Sequence, residues 1–372
     1  MRKIPVVLLK CSSYSILEVE KAVERALTLL RLEEEIKRSK KPLLLKPNLL
    51  SPVPPQRGVT THPVFVEGVV KVLKKMGKEV MIGDSPGGIG TSVEEVWEIT
   101  GMKKIAQKYS IPLLNFSKEK LKKVDLPHLP FSLYIPEVIF SSHLISLPKL
   151  KTHHLTLLTA GIKNIFGVIP GTAKIQIHRE FPHPKQFSRF LVNLYSLVNP
   201  YLTIVDGIEA MEGEGPSQGK IRNLGWIIAS GSGIAVDMVI GKLLGINPLK
   251  IPTNLQSYIQ TGIELSHIEI LGNSFSPLKD FLFPTIPFLL NLPPFLLKML
   301  SFLIKIQLEI NLELCQNCER CLRSCPVGAI FRDSKERLQI DRRKCIQCLC
   351  CFEICPSQAV NIKKRLLARW WK

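Results

Sequence analysis

Two copies of one cysteine pattern lie near the C-terminal end of this 372-residue chain. The first copy consists of Cys315, Cys318, Cys321 and Cys325, and the second of Cys345, Cys348, Cys351 and Cys355. A proline follows each copy, so both read C-x2-C-x2-C-x3-C-P. Bacterial ferredoxins bind two 4Fe-4S clusters with this spacing. The thiolates therefore predict a domain that carries electrons on two clusters.

The fourth cysteine of each copy ligates the other cluster in this arrangement. The first cluster is thereby assigned to Cys315, Cys318, Cys321 and Cys355, and the second to Cys345, Cys348, Cys351 and Cys325. Zinc is disfavoured because its sites use paired C-x2-C units separated by a longer loop. Disulfides are disfavoured because no secretory signal is visible. The remaining cysteines, Cys11 and Cys350, are interpreted as small packing residues.

The cysteine segment resembles a bacterial-type two-cluster ferredoxin over residues 310–362 and is predicted to form a small α+β domain. Asp333 and Ser334 are predicted to form a hairpin turn between the two halves. Residues 311–362 carry eight Lys or Arg and six Asp or Glu. A basic shell of this kind would stabilise the reduced clusters and suit an acidic redox partner.

The composition limits the other functional classes. The formal net charge is +19, but the basic residues are dispersed and no zinc-finger, RRM or KH signature accompanies them. Nucleic acid is therefore a disfavoured partner, and an anionic small molecule or a membrane surface fits at least as well. Oxygen-sensitive clusters without an export signal indicate the cytoplasm.

The region before the cysteines alternates strand-like and helix-like segments. Strands are predicted at 4–9, 42–45, 79–82, 138–140, 144–147, 202–205, 226–229 and 267–271, and helices at 17–37, 63–76, 92–109 and from 233 onward. This alternation predicts an α/β fold with a mostly parallel sheet and flanking helices. The small ferredoxin-type domain would follow it.

Charged and polar residues are predicted at the carboxyl ends of these strands, where open α/β sheets bind ligands. The candidate site residues are Lys46, Asp84, Lys149, Lys151, His153 and Asp206. We expect the lysines to hold an anionic group, the aspartates to orient the ligand, and the histidine to handle protons. The structural alternative is that such residues cap helices and form turns.

Several short motifs in this region occur together in one known family. They are Lys46-Pro47-Asn48-Leu49, Thr60-Thr61-His62-Pro63, Gly83-Asp84-Ser85-Pro86, Leu147-Pro148-Lys149-Leu150-Lys151-Thr152-His153, Gly161-Ile162-Lys163-Asn164 and Asp206-Gly207-Ile208. Over residues 4–270 the chain resembles the prokaryotic family called domain of unknown function 362. Members often carry a C-terminal two-cluster ferredoxin. The resemblance implies an iron–sulfur redox protein and names no reaction.

Other motifs are weaker. No Walker A loop is present, and Val236 replaces the third glycine of a dinucleotide-binding pattern that begins at Gly231. The glycine-rich loop, residues 212–219, is either a lid over a ligand or a flexible connector. A metal site built from His153, His154, His178, His183, Asp84 and Glu180 is a minor alternative, since their spacing is not compact.

The predicted organisation is an α/β domain at 1–275, an apolar proline-rich linker and helix at 276–309, the two-cluster domain at 310–362 and a basic tail at 363–372. Four prolines interrupt its apolar stretch, residues 281–304, so a membrane span is not expected. A helix at 293–308 would pack on the large domain or lie in a membrane interface. The tail pairs two tryptophans with five cations, a composition suited to anionic headgroups.

Two hypotheses follow. In the first, the two-cluster domain relays electrons from a redox partner to a substrate or cofactor on the α/β domain. In the alternative, the protein is a non-enzymatic electron-transfer subunit docked on a larger, membrane-associated complex. The expected location under either hypothesis is cytoplasmic, with peripheral contact at the inner face of the membrane.

Overall fold

The structure is a computed structural model that describes residues 3–284 and 307–363. Most of the predicted linker helix and nearly all of the basic tail lie outside these residues. Within the described ranges, no helix combines the length and the apolar character needed to cross a bilayer.

The strands lie in both parts of the chain. In chain order they are β1 (Ile4–Lys10), β2 (Leu43–Pro47), β3 (Val80–Asp84), β4 (Leu113–Asn115), β5 (Leu121–Val124), β6 (Leu133–Pro136), β7 (His143–Leu147), β8 (Lys149–His153), β9 (Leu157–Thr159), β10 (Leu202–Glu212), β11 (Lys220–Ser230), β12 (Ile268–Gly272), β13 (Gln307–Ile310), β14 (Ile330–Arg332), β15 (Leu338–Ile340) and β16 (Val360–Lys363).

The α-helices flank this framework. They are α1 (Ile16–Leu30), α2 (Glu33–Arg38), α3 (Pro63–Lys75), α4 (Val93–Ile99), α5 (Met102–Tyr109), α6 (Val138–Ser141), α7 (Gly161–Asn164), α8 (Ala173–Glu180), α9 (Pro184–Val198), α10 (Gly233–Leu243), α11 (Pro252–Thr261), α12 (Arg320–Arg323) and α13 (Cys350–Ile354).

Ten of the described strands form one mixed sheet in the order β12-β1-β11-β10-β7-β2-β3-β4, with β8 beside β10 and β9 beside β8. The neighbours from β10 to β4 are all parallel, as are β1 and β12. The exceptions are β11, which is antiparallel to β1 and β10, and β9, which is antiparallel to β8. The predicted mostly parallel α/β fold is confirmed.

Alternation along the strands supplies a core on each face of the sheet. In β1, Val7 and Leu9 face the core under α1 and α3, whereas Val6 and Leu8 face the core under α10. A third core packs around α9 and continues into the cysteine-containing domain through residues such as Phe352. The two domains therefore share buried apolar surface.

Three predicted elements differ in the structure. The helix expected over 17–37 is interrupted at Arg31, whose φ of 59° lies in the left-handed region, so α1 and α2 are separate. The helix expected over 92–109 is divided at Gly101, with φ 79°. The strand expected at 138–140 is wrong: β-branched Val138 and Ile139 belong to α6, where packing overrides their strand preference.

The candidate residues also lie differently from the prediction. Lys46 is the fourth residue of strand β2, and Asp84 is the last residue of strand β3. The segment expected to be a loop after β7 is itself a strand, β8, which contains Lys149 and His153. Asp206 lies inside β10, which runs seven residues beyond the predicted end.

The cysteine-containing domain consists of two antiparallel pairs, β13 with β16 and β14 with β15, and the short helices α12 and α13. The predicted hairpin turn is confirmed: Asp333 follows β14 and accepts hydrogen bonds from the backbone N–H groups of Lys335 and Arg337. This arrangement is the small α+β domain that the spacing predicts.

Candidate functional site

The eight cysteines of the repeated pattern surround two small separate cavities. One is lined by Cys315, Cys318, Cys321 and Cys355. The other is lined by Cys345, Cys348, Cys351 and Cys325, together with Cys350. The fold therefore brings each fourth cysteine to the opposite repeat. Four thiols around each cavity are a donor set that suits a 4Fe-4S cluster.

A buried ion pair joins β2 and β3 of the large sheet. Lys46 Nζ lies 2.7 Å from Asp84 Oδ1, and both side chains are almost fully buried. The two strands are parallel neighbours, and these residues lie near their carboxyl ends. Asp84 Oδ2 also accepts a 2.8 Å hydrogen bond from Leu49 N. Burial lowers the pKa of Lys46, and the adjacent carboxylate opposes that shift.

Asn164 fixes the lysine from the other side. Its Nδ2 donates to Lys46 O at 3.1 Å and to Ser146 Oγ at 2.9 Å. Gly167 lies against the ion pair, and a Cβ at this position would be 2.4 Å from both Lys46 Nζ and Asp84 Oδ1. Only glycine leaves room for the pair in this conformation.

We expect Gly167→Ala to destabilise the protein by about 1–3 kcal/mol, because the added methyl group must displace buried charged atoms. Gly231→Ala is a suitable control, since the nearest atom to its added Cβ is 3.8 Å away. It should change stability by less than about 0.5 kcal/mol. Anaerobic denaturant unfolding of both variants tests this. Equal stability of the two variants would show that the Lys46–Asp84 ion pair does not exclude a side chain at position 167.

A second buried pair lies between β8 and β10. Lys149 Nζ is 3.0 Å from Asp206 Oδ2, and each side chain is at most 1% exposed. Tyr14 donates to Asp206 Oδ1 at 2.9 Å, and the backbone N–H of His62 donates to Oδ2 at 3.0 Å. The rings of Tyr14 and His62 stack at 3.6 Å. Burial and the Asp206 charge raise the pKa of Tyr14. Both carboxylate oxygens of Asp206 thus have partners within the protein.

Lys151 lies in the same strand but points elsewhere. Its Nζ donates to Val59 O at 2.6 Å. Burial lowers the pKa of Lys151 to about 7. The structure thus separates the predicted site residues: Lys46 and Asp84 form one cluster, while Lys149 and Asp206 form another.

His153 connects the two domains. Its Nδ1 accepts hydrogen bonds from Leu155 N at 3.1 Å and Thr156 N at 3.4 Å, so the neutral ring carries its proton on Nε2. Nε2 lies 3.1 Å from Glu353 Oε1 on α13. Burial lowers the pKa of His153 to about 4. Burial alone would raise the pKa of Glu353, but the contact with His153 and the charge of Lys163 hold it below its usual range.

The glycine-rich loop is a second contact between the domains. Ser217 Oγ donates to Phe352 O at 3.3 Å, and Gln358 Nε2 donates back to Ser217 O at 2.9 Å. Gln218 Nε2 donates to Val360 O at 3.0 Å. The loop thus packs on the cysteine-containing domain.

A cavity of about 80 Å³ lies between the two domains. The α/β domain contributes Lys46, Asp84, Lys163, Lys174 and His178, among others. The opposite wall is formed by Ser324, Cys350, Glu353 and Ile354. Cys350 also lines the second cysteine cavity, so the two spaces share a wall.

Sequence reasoning did not assign a site role to three residues of this cavity, Lys163, Lys174 and Glu353. A usable signal existed for Lys174: it is four residues before His178 on α8, so both side chains lie on one face of that helix. Lys163 stood in one of the family motifs. For Glu353, the sequence contains no signal that it would meet another domain.

The histidine metal site is not assembled. His154 Nε2 is 2.9 Å from Glu214 Oε2, whereas the His178 ring stacks on Phe187. His183 and Glu180 are exposed. Within the described ranges, no group of three histidine, aspartate or glutamate side chains is arranged to hold a metal ion.

Comparison with known families follows the same two-part division. The family model described as Domain of unknown function (DUF362) matches residues 43–242, more than half of the chain. The chain belongs to the DUF362 family. A 4Fe-4S dicluster domain model matches residues 307–356. The C-terminal part is thus an iron–sulfur electron-transfer domain, and both resemblances inferred from the sequence are confirmed.

Curated relatives match one part or the other. A thylakoid-associated protein of Synechocystis sp. is 36% identical over 214 residues, 57% of this chain and 65% of that protein. One subunit of an ion-translocating oxidoreductase complex from Methanosarcina acetivorans is 39% identical over 49 residues, 13% of this chain and 18% of that subunit. Pyruvate synthase subunit PorD of Methanocaldococcus jannaschii is 42% identical over 49 residues, 13% of this chain and 57% of that subunit. The matches span less than two thirds of each relative.

Proposed function

We propose that this DUF362 protein is a ferredoxin-linked oxidoreductase that transfers electrons to or from a small molecule held in the interdomain cavity. The main support for this proposal is that Cys350 lines both the interdomain cavity and the cavity of the second cysteine set. Two 4Fe-4S clusters, held by the eight cysteines in the crossed assignment, would supply one-electron transfer. A ligand in the cavity would lie next to one of them.

The chain's own residues support such a site on both walls. Lys46, Lys163 and Lys174 give the α/β wall a positive character that suits an anionic ligand. His153 holds the opposite wall through Glu353 and orients that carboxylate beside the cavity. In this proposal Lys149, Lys151 and Asp206 are structural, because their partners are protein groups away from the cavity.

An electron donor or acceptor protein is a further requirement of this proposal. The alternative, a non-enzymatic electron-transfer subunit of a larger complex, is favoured by one observation: two relatives of the cysteine domain are named as subunits. The name of the thylakoid-associated relative supports peripheral membrane contact. A cytoplasmic location at the inner face of the membrane remains a prediction from the sequence.

Redox titration of the anaerobically purified protein tests the position of the cavity. We expect Lys163→Met and Lys174→Met to lower the midpoint potential of one cluster and leave the other unchanged. A neighbouring cation stabilises the more negative reduced cluster, so its removal disfavours reduction.

Lys242→Met, an exposed position on α10, is the control and should change neither potential. Electron paramagnetic resonance at each poised potential would follow the two clusters separately. If neither cavity variant moves a potential, the cavity is not coupled to a cluster, and the subunit alternative is favoured.

A further inference from the structure

The interdomain cavity has more positive charge than its carboxylates neutralise. Asp84 is paired with Lys46, and Glu353 faces His153. Among the described residues, the Glu353 charge acts on Lys163 and the Asp84 charge on Lys174, but neither lysine forms a direct ion pair. Because His153 is neutral, Glu353 offsets part of the Lys163 charge, and three lysines against two carboxylates leave the cavity wall with a net positive charge.

Each of these lysines is held in place by neutral groups. Lys174 is about 9% exposed and donates to the backbone oxygens of Ser85 and Pro86. Lys163 Nζ lies 4.6 Å from the centre of the Phe166 ring and 5.5 Å from that of Phe187. Backbone oxygens and aromatic faces stabilise a cation without cancelling its charge. Burial lowers the pKa of both lysines, that of Lys174 to about 7, and a bound anion would favour their charged forms.

His178 adds an unused polar group to the same wall. It is 5% exposed, and its Nδ1 has no hydrogen-bond partner among the described residues. Buried polar atoms normally have a partner, so an orphaned one beside a cavity indicates a missing ligand or water. Burial lowers the pKa of His178 to about 4, which keeps the ring neutral near pH 7.

The size of the cavity limits the ligand. A space of about 80 Å³ accommodates roughly six waters, since one water requires about 10–15 Å³ on this measure. A nucleotide or a flavin is larger than this space and would have to extend out of it. A carboxylate of two to four carbons or a tetrahedral oxyanion would fit.

We propose that the cavity binds a small oxyanion, either a short carboxylate or an inorganic anion, with Lys163 and Lys174 on its charged oxygens and His178 on a neighbouring polar atom. This inference rests on the proposed function in that it identifies the ligand class of the same site. Binding itself needs no electron transfer, so the two can fail independently.

Isothermal titration of the oxidised, cluster-loaded protein tests this at constant ionic strength, with glyoxylate, oxalate, sulfate, phosphate and AMP as probes. We expect at least one small anion to bind saturably at one site and AMP not to bind. Lys163→Met and Lys174→Met should each weaken that binding at least about tenfold, the effect of one charged hydrogen bond.

Lys242→Met is again the control and should bind as tightly as the unmodified chain. Circular dichroism and iron content establish that both cavity variants are folded and loaded. Preference for oxalate and glyoxylate over sulfate and phosphate would identify a carboxylate site, and the reverse an inorganic oxyanion site. Unaltered binding in both cavity variants, tighter binding of AMP, or no binding of any probe would overturn the proposal.

Discussion

Replacing Cys325 and Cys345 together with alanine should leave about four irons per chain, whereas replacing Cys315 and Cys325 together should leave almost none. The reason is the crossed arrangement of the two cavities. Cys325 and Cys345 line the same cavity, so their loss removes ligands from one cluster. Cys315 lines the other cavity, so the second combination removes a ligand from each cluster.

The uncrossed assignment makes the opposite prediction. If each cluster took the four consecutive cysteines of one repeat, Cys315 and Cys325 would belong together, and their double variant would keep about four irons. Iron and acid-labile sulfide analysis after anaerobic reconstitution distinguishes the two outcomes. Cys11→Ala is the control, because this buried thiol lies in the α/β domain and should leave about eight irons.

The cysteine domain was predictable because its chemistry is local. Each cluster loop needs thiols at short spacings, and a proline after the fourth cysteine. These requirements are visible in about 40 residues of sequence. The hairpin at Asp333 was equally local, since the turn is made by hydrogen bonds within four residues.

The sequence predicted the fold class of the sheet but not the order of its strands. Buried apolar strands separated by amphipathic helices indicate an α/β fold. Which strands are neighbours depends on contacts distant in sequence. Lys46 meets Asp84 because β2 lies beside β3, and Lys149 meets Asp206 because β8 lies beside β10. The sequence therefore indicated six candidate residues, and the strand order placed them in separate clusters.

The interdomain cavity could not be predicted from the sequence, because it forms only where the two domains meet. Glu353 belongs to the cysteine motif by sequence, and its role follows from contact with His153, 200 residues earlier. The break between α1 and α2 was also not visible, because Arg31 adopts a left-handed conformation without glycine or asparagine to mark it. Tertiary packing decides both features.

Asp84→Asn should be one of the most damaging single substitutions in the α/β domain. It leaves Lys46, which is fully buried, without a negative partner. Breaking a buried pair costs about 3–5 kcal/mol. For a domain of this size, such a loss lowers the Tm by roughly 6–20 °C.

The double variant Lys46→Met, Asp84→Leu should recover most of that stability. An apolar pair of similar volume avoids the desolvation cost that the ion pair must offset, so the exchange is often neutral or stabilising. Circular dichroism of anaerobic samples during heating compares the single variant, the double variant and the unmodified chain. A single variant that melts within about 1 °C of the unmodified chain would contradict a buried charged pair here.

Substitutions in the second buried pair, Lys149 and Asp206, test stability separately from ligand binding. Asp206→Asn should lower the Tm at least as much, because Asp206 accepts hydrogen bonds from Tyr14, Lys149 and the His62 backbone. It does not line the interdomain cavity, so its folded fraction should keep the ligand affinity of the unmodified chain. The double variant of the Lys46 pair should recover stability and change the ligand affinity less than Lys163→Met or Lys174→Met does, because the cation and the carboxylate that it removes from the cavity wall offset each other. Equal affinity in both variants would mean that the Lys46–Asp84 pair only supports the fold.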